Sequence, residues 1–254
     1  MISATDVQRK VKTLYTDDAT TYREGRFFED SSLPDALESA GSDGFHAVFM
    51  PGFLEERVAQ PHDHAAWRQW VVTPSVKITG RSKGGSPVVV VAHVPSYLSN
   101  PKNIRKAYQQ GQQGLVNYAA RVPQHSFEQL LDKEGKTDAA GNILVWVIDH
   151  EKLKTSTSCV IPVAAASDHP LVVPFMGSES LVQRYLPQHE KAYKTKQIGV
   201  WHCDDLDASG PLGRLLVAGG NGGNGSLSTS SYLDGGGRFV GVRPLKSAAG
   251  ARKN

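Results

Sequence analysis

The feature that most constrains the fold is a valine-rich run at residues 88–94, VVVVAHV, which follows a glycine-rich turn. Residues 76–79, before that turn, alternate between apolar and polar side chains, and the turn itself occupies residues 80–86. Two strand-like segments joined in this way predict a β-hairpin. Because four consecutive valines are typical of a strand covered on both faces, we expect the second strand to lie inside a sheet.

Two further apolar segments, residues 143–148 and 198–203, predict inner strands. Helical sequence precedes each of them. Asn100 followed by Pro101 is typical of a helix start, and we expect that helix to continue to about residue 120. Strand, helix and strand in this order predict right-handed βαβ crossovers in the middle of the chain.

Capping-box spacing predicts two more helix starts, at Ser126 and Ser180, because a glutamine follows each serine three residues later. We expect Pro187 to interrupt the second of these helices. The other predicted elements are an amphipathic helix at residues 4–15, strands at 45–50, 159–163 and 171–175, and short glycine-separated strands within 214–242.

Together these elements predict an α/β or α+β fold. It has a mixed β-sheet with flanking helices, βαβ-type crossovers in the middle and a region of short strands at the C-terminal end. No linker is long enough to require a second unit, so we expect one globular domain over residues 1–254. Residues 1–44 are expected to form a partly irregular N-terminal arm, and residues 245–254 a frayed basic tail.

The composition excludes several classes of protein. Apolar residues make up 39% and charged residues 21% of the chain, which is typical of a globular protein and not of a disordered tail. The longest unbroken apolar run, residues 143–148, is far too short to span a bilayer, and the first residues lack the apolar core of a signal peptide. We therefore expect a cytoplasmic protein without a membrane partner. Two cysteines do not make a disulfide framework.

The most polar cluster lies within residues 197–220, between two apolar segments. His202, Asp204, Asp205 and Asp207 fall within six positions there, where a strand is expected to end. Side chains that handle ligands or protons converge at such strand ends in open sheets. This stretch is therefore the first place to expect a functional site.

A metal-dependent hydrolase is one hypothesis for that cluster. His62 and His64 are alternate residues of an extended segment, so both can face one metal ion, and the predicted ligand set is His62, His64, His202, Asp204 and Asp207. A bound divalent ion would lower the pKa of water and generate the nucleophile. The candidate catalytic residues are His202, Asp204 and Asp205.

Other partial motifs are incomplete. Residues 205–210 resemble the opening of a calcium loop, but the closing position holds Leu216 instead of glutamate. The glycine tract at 219–225 lacks the lysine and the following helix of a phosphate loop. Cys159 has no neighbouring cation in sequence to lower the pKa of its thiol.

These observations favour a non-catalytic binding or assembly domain, intracellular or phage-associated, that self-associates or binds a protein partner. Whether the chain is an enzyme stays open, with the hydrolase as the alternative. A third hypothesis is nucleic-acid binding by the expected 100–121 helix, which carries Lys102, Arg105, Lys106 and Arg121, together with the basic C-terminal end.

The C-terminal part also has a family resemblance. RLLVAGGN at residues 214–221, followed by GRFVGVR at residues 237–243, is similar to the closing strands of C-type-lectin-like and formylglycine-generating-enzyme-like domains. Those domains end on a Gly-Gly turn and a final Gly-Phe-Arg-type strand. The tryptophan- and asparagine-rich motifs that usually precede this ending are absent from the sequence, so the resemblance implies no site residue and no function.

Overall fold

A computed structural model describes residues 23–139, 141–154, 159–219, 225–229, 233 and 236–244. The strands are β1 (Arg23–Asp30), β2 (His46–Ala47), β3 (Val71–Arg81), β4 (Pro87–Ala92), β5 (Leu115–Val116), β6 (Ala119–Arg121), β7 (Val145–Asp149), β8 (Cys159–Pro162), β9 (Gln197–Trp201), β10 (Leu212–Gly219), β11 (Ser226–Thr229) and β12 (Gly237–Pro244). The helices are α1 (Leu33–Ser42), α2 (Met50–Ala59), α3 (Ala65–Arg68), α4 (Pro101–Gln109), α5 (Gln124–Leu131), α6 (Glu151–Lys154), α7 (Val172–Met176) and α8 (Glu179–Tyr193). Short 3-10 helices occupy Tyr97–Ser99, Gly111–Gln113 and Val163–Asp168.

The valine run forms an inner strand of the main sheet, as predicted. This sheet has the order β7-β4-β3-β10-β11-β9-β8, and the β5–β6 hairpin joins it through β6, which pairs with β10. Within β4, Val89 and Val91 face one hydrophobic core, whereas Val90 and Ala92 face the other. The strand is therefore covered on both faces, which is why four consecutive valines are stable there.

One core lies between the sheet and helices α2, α7 and α8, and it includes the fully buried Trp67 and Phe53. The other lies between the sheet and helices α1, α4 and α5, and it includes the fully buried Phe127. Each such side chain contributes roughly 1.5–3 kcal/mol by leaving water. A smaller sheet, β1-β12-β2, packs beside them. This is the expected mixed α and β architecture.

The strand pairing corrects the predicted crossovers. β4 pairs antiparallel with β7, and β8 pairs antiparallel with β9, although helical sequence separates the strands of each pair. The parallel pair seen among the described strands is β9 with β11. Strand–helix–strand order is compatible with either direction when the connection is long, so the sequence order alone was not sufficient to predict a parallel crossover.

The helix expected over residues 100–120 ends at Gln109. Asn100 caps it as predicted, accepting a hydrogen bond from the Lys102 N–H at 3.0 Å. The chain then leaves the helix at Gly111, which has a positive φ, and continues into the β5–β6 hairpin. Pro187, by contrast, does not interrupt α8.

Two other local predictions were wrong, and the N-terminal arm is more regular than expected. Residues 23–42 of the predicted, partly irregular arm form β1 and α1, while residues 1–22 and 245–254 lie outside the described part of the chain. The strand expected at 45–50 is reduced to β2, because Pro51 occupies the first turn of α2. The strand expected at 171–175 is the helix α7, since a short apolar run does not distinguish a strand from a buried helix.

Candidate functional site

One edge of the main sheet gathers most of the predicted polar cluster. β3 and β9 end at this edge and β10 begins there, because β10 is antiparallel to β3 and to β11, and β11 is parallel to β9. Residues 202–211 cross the edge between β9 and β10, and we call them the 202–211 loop. The strands thus bring this loop against the last residues of β3.

A buried network of charges anchors the loop. The Asp205 carboxylate accepts hydrogen bonds from Arg214 Nε at 3.0 Å and Arg214 Nη2 at 2.9 Å, and it lies 3.3 Å from Lys77 Nζ. The three side chains are only 1–2% exposed. Lys77 Nζ also donates to the Cys203 carbonyl oxygen at 2.6 Å, and Arg214 Nη2 donates to the Asn117 carbonyl oxygen. The network therefore joins the loop to two strands and to the turn of the β5–β6 hairpin.

Burial lowers the pKa of Lys77, and the Asp205 carboxylate opposes that effect. A buried carboxylate between two cations is a strong constraint, because removing it would leave both cations without compensation. Asp205 is consequently a structural anchor, and its predicted catalytic role stays a prediction.

His150 forms a second anchor for the same loop. This histidine is 3% exposed, and its Nε2 lies 2.8 Å from Asp204 Oδ1. Burial raises the pKa of Asp204, but hydrogen bonds from His150 and from the Leu206 N–H outweigh burial and hold it below its usual range. The cavity beneath is only about 20 Å³ and is lined in part by His202, which leaves room for about one water molecule. Among the described residues, this cavity is too small to enclose a small-molecule substrate.

The outer face beside the loop is open to solvent. Trp201, the last residue of β9, is 42% exposed, and its indole lies across Gly199, whose added Cβ would sit 2.5 Å from Trp201 Nε1. Val160 of β8 pairs with Gly199 and is 39% exposed, while Ser228 of β11 pairs with Trp201. We call this surface, formed by Val160, Gly199, Trp201, Ser226 and Ser228, the Trp201 face.

Three large apolar side chains are exposed in the described part of the chain, namely Trp201, Val160 and Tyr118. Tyr118 is 48% exposed. It sits in the turn of the β5–β6 hairpin, where Asn117 and Tyr118 both have positive φ. Arg214 holds that turn through the Asn117 carbonyl and holds the 202–211 loop through Asp205. The turn and the loop that follows the Trp201 face are thus fixed by the same guanidinium group.

The predicted metal ligands are spread over different parts of the fold. His62 Nε2 lies 2.8 Å from Gln188 Oε1 of α8, and His64 caps α3 by accepting the Ala66 N–H. His202 instead packs against His169, with ring centroids 6.2 Å apart, and Asp207 accepts the Ser209 N–H at 2.6 Å. In the described ranges, no three His, Cys, Asp or Glu side chains are grouped so that they could hold a metal ion. The metal-dependent hydrolase remains an untested prediction.

The helix proposed for nucleic-acid contact is shorter than expected, and its central cation is engaged. Arg105 forms ion pairs with Asp35 at 2.5 Å and Glu38 at 2.7 Å, which raise the pKa of Arg105. Arg121 belongs to β6 and lies 3.6 Å from Asp207. The basic residues of 100–121 therefore do not form one continuous helical stripe.

Sequence reasoning missed Lys77, Arg214, Trp201 and Tyr118. The alternation of residues 76–79 indicated that Lys77 faces solvent, whereas the structure covers both faces of β3, where a buried lysine needs a counter-ion. Arg214, buried near the beginning of an apolar strand, has the same requirement. For Trp201 and Tyr118 the sequence held no signal, since exposure depends on what the rest of the chain covers.

Comparison with known proteins decides the family. No protein-family model and no curated protein matches the sequence. A solved structure described as "Accommodation of massive sequence variation in Nanoarchaeota by the C-type lectin fold" is 40% identical, with a TM-score of 0.78, over 87% of this chain and 98% of that one. The chain belongs to this C-type lectin fold family.

The C-type lectin fold is a mixed α and β fold of binding domains, which confirms the predicted fold class. The C-type-lectin-like part of the resemblance at residues 214–243 agrees with this family. In the described part of this C-type lectin fold chain, no helix is long and apolar enough to cross a membrane.

Proposed function

We propose that this chain is a non-catalytic binding domain that contacts a protein partner through the Trp201 face and the adjoining 202–211 loop. The observation that carries the proposal is the exposed indole of Trp201, laid on a sheet whose neighbouring loop is fixed by buried charges. An intracellular or phage-associated setting stays a prediction, as does a cytoplasmic location.

Rigidity supports this proposal. Association costs less entropy when the contacting residues are already ordered in the free protein. The Asp205 network fixes the loop, and the turn of the β5–β6 hairpin is fixed with it. Tryptophan and tyrosine dominate binding energy at protein interfaces because they bury a large apolar area with few rotatable bonds. Among the described residues, Trp201 and Tyr118 are the aromatic side chains that this scaffold exposes most.

The surroundings of Trp201 also suit an interface. Interface centres are apolar and have a polar rim. Val160 extends the apolar area beside Trp201, while Ser226 and Ser228 provide hydroxyl groups and Asp204 provides a carboxylate that is 65% exposed. The cavity described at this edge holds about one water molecule, and the Asp205 carboxylate is engaged by two cations, which supports binding over catalysis.

The related structure concerns massive sequence variation accommodated by the C-type lectin fold in Nanoarchaeota. In this chain the buried anchors Lys77, Asp205 and Arg214 are separate from the exposed Trp201 and Tyr118. Exposed positions can therefore change without disturbing the anchors, and we propose that partner specificity resides in those exposed positions.

The test uses a random peptide library displayed on phage and selected against the immobilised chain. Enriched peptides are synthesised, and their affinities are measured by isothermal titration calorimetry. Trp201→Ala is expected to weaken binding at least about tenfold, while Trp201→Phe retains much of it because an aromatic ring remains. Gly199→Ala is a second perturbation, since the added Cβ would displace the indole without removing it.

Lys133→Ala, at an exposed position of the turn at residues 132–135, serves as the control and should leave affinity unchanged. Urea unfolding of each variant establishes that the fold is intact. If the selected peptides bind Trp201→Ala as tightly as the unchanged chain, the Trp201 face is not the binding surface and the proposal is wrong.

A further inference from the structure

A second surface lies on the opposite side of the main sheet from the Trp201 face. The 3-10 helix Val163–Asp168 and helix α8 form the walls of a groove of about 620 Å³. Its floor is aliphatic and includes Val163, Val173, Val182 and Leu186. A groove of this size accommodates one side of a helix, and apolar grooves of this kind bind amphipathic helices.

The carboxylates of three residues surround the floor of the groove: Asp168, Glu179 and Glu190. None of them is paired with a cation among the described residues. We call this surface the acidic groove. It contrasts with the whole chain, whose formal charge is +3. The charge pattern favours an occupant that is apolar on one side and basic on the other.

Residues 4–15 of this chain, ATDVQRKVKTLY, have that pattern. They lie outside the described residues, so only their sequence enters the argument. Val7, Val11, Leu14 and Tyr15 recur at helical spacing and form one apolar stripe. Arg9, Lys10 and Lys12 supply three positive charges against a single negative charge from Asp6.

We propose that residues 4–15 dock as a helix in the acidic groove of the same chain. Their apolar stripe covers Ala164, Val173 and Pro187, which line the groove and are exposed or half-buried, and their basic residues face the three carboxylates. A twelve-residue helix is about 18 Å long, which is less than the roughly 22 Å of the fifteen-residue α8. The docked segment thus fits along α8.

The tether to β1 sets how far residues 4–15 can reach. β1 begins at Arg23, and its residues Gly25 and Phe27 line a small cavity with Phe53 of α2. Helix α2 packs on α8, where Arg184 pairs with Glu55. Residues 16–22, when extended, span at most about 25 Å, which is roughly two helix diameters. A short tether also raises the effective concentration of the segment at the groove into the millimolar range.

The test is carbodiimide cross-linking of the full chain, which joins a lysine amine to a carboxylate in direct contact, followed by peptide mass spectrometry. The monomer is separated by size-exclusion chromatography before analysis. We expect cross-links from Lys10 or Lys12 to Asp168, Glu179 or Glu190. They should decrease several-fold in about 1 M salt, where the Debye length falls to about 3 Å.

Two matched variants test the apolar stripe. Val11→Asp places a charge in the stripe and should reduce the cross-links several-fold. Thr13→Asp makes the same change in charge on the other side of the expected helix and should leave them largely intact. On the groove itself, Gln183→Lys should repel the segment, whereas Gln124→Lys, on an exposed position of α5, should not.

Cross-links in the monomer that respond to Val11→Asp but not to Thr13→Asp would support the proposal. Cross-links only in covalent dimers would assign the segment to a second copy and overturn it. The proposal would also be overturned if no cross-links form, if they join the segment to carboxylates elsewhere, or if both variants reduce them equally. These outcomes are independent of whether the Trp201 face binds a partner.

Discussion

Replacing Asp205 by asparagine tests the buried network most directly. The substitution keeps the size of the side chain but removes its charge, and it turns one acceptor oxygen into an N–H donor facing Lys77 or Arg214. Both cations are at most 2% exposed, so water does not replace the lost carboxylate. Removing one partner of a buried ion pair typically costs about 3–5 kcal/mol.

That loss is a large fraction of the roughly 5–15 kcal/mol by which domains are stable. Urea unfolding at pH 7, followed by far-UV circular dichroism, measures it as a lower midpoint at an unchanged slope. The control is Asp207→Asn, because Asp207 lies 3.6 Å from Arg121 nearer the surface of the same loop, where solvent screens the pair, so the substitution should leave the urea midpoint nearly unchanged. If Asp205→Asn were as mild as the control, the loop would not be anchored by this network, and the rigidity argument for the Trp201 face would fail.

Two other predictions concern stability. The pKa of His93 is near 6.5 in the unfolded chain, whereas burial lowers it to about 4 in the fold. The neutral, buried His93 therefore contributes fully to the free energy of unfolding above pH 6.5, and this contribution is lost as the pH falls toward 4. Between pH 7 and pH 4.5, the free energy of unfolding should fall by about 2–3 kcal/mol more in the unchanged chain than in a His93→Gln variant. Urea titration at both pH values measures the two losses, and equal losses would contradict the prediction. Gly177 has a φ of 89°, and its added Cβ would lie 2.7 Å from Pro51, whereas Gly85, at 82°, has open space around it. Thermal unfolding should therefore show that Gly85→Ala lowers the free energy of unfolding by about 1 kcal/mol and that Gly177→Ala lowers it clearly more. Similar losses would show that the Pro51 side chain moves to accommodate the added Cβ.

The elements that the sequence predicted well are those whose signal is local. The hairpin of β3 and β4 followed from alternation, a glycine-rich turn and four valines. The start of α4 followed from Asn100 and Pro101, and the structure shows the cap bond. The resemblance at residues 214–243 was too short to assign a family or a site, and the family came from comparison of nearly the whole chain.

The elements predicted wrongly depend on contacts with distant residues. The apolar run at 171–175 became a helix because α7 fits between α2 and α8, and neither its length nor its composition distinguishes helix from strand. The segment after Gln109 left its helix to form a hairpin on β10, a pairing that no local signal in residues 111–121 specifies. Both β4 with β7 and β8 with β9 paired in the opposite direction to the one predicted.

The sequence by itself determined that one strand would be covered on both faces, and that residues 202–207 would bring several polar side chains to a strand end. It did not determine what those side chains do. Asp205 is an anchor because Lys77, 128 positions away along the chain, lies beside it in the fold. Trp201 is exposed because the described helices leave its face of β9 uncovered. Burial and ion pairing are properties of the neighbours that the fold supplies, so only the tertiary structure separated the buried anchors of this edge from the surface that it offers to a partner.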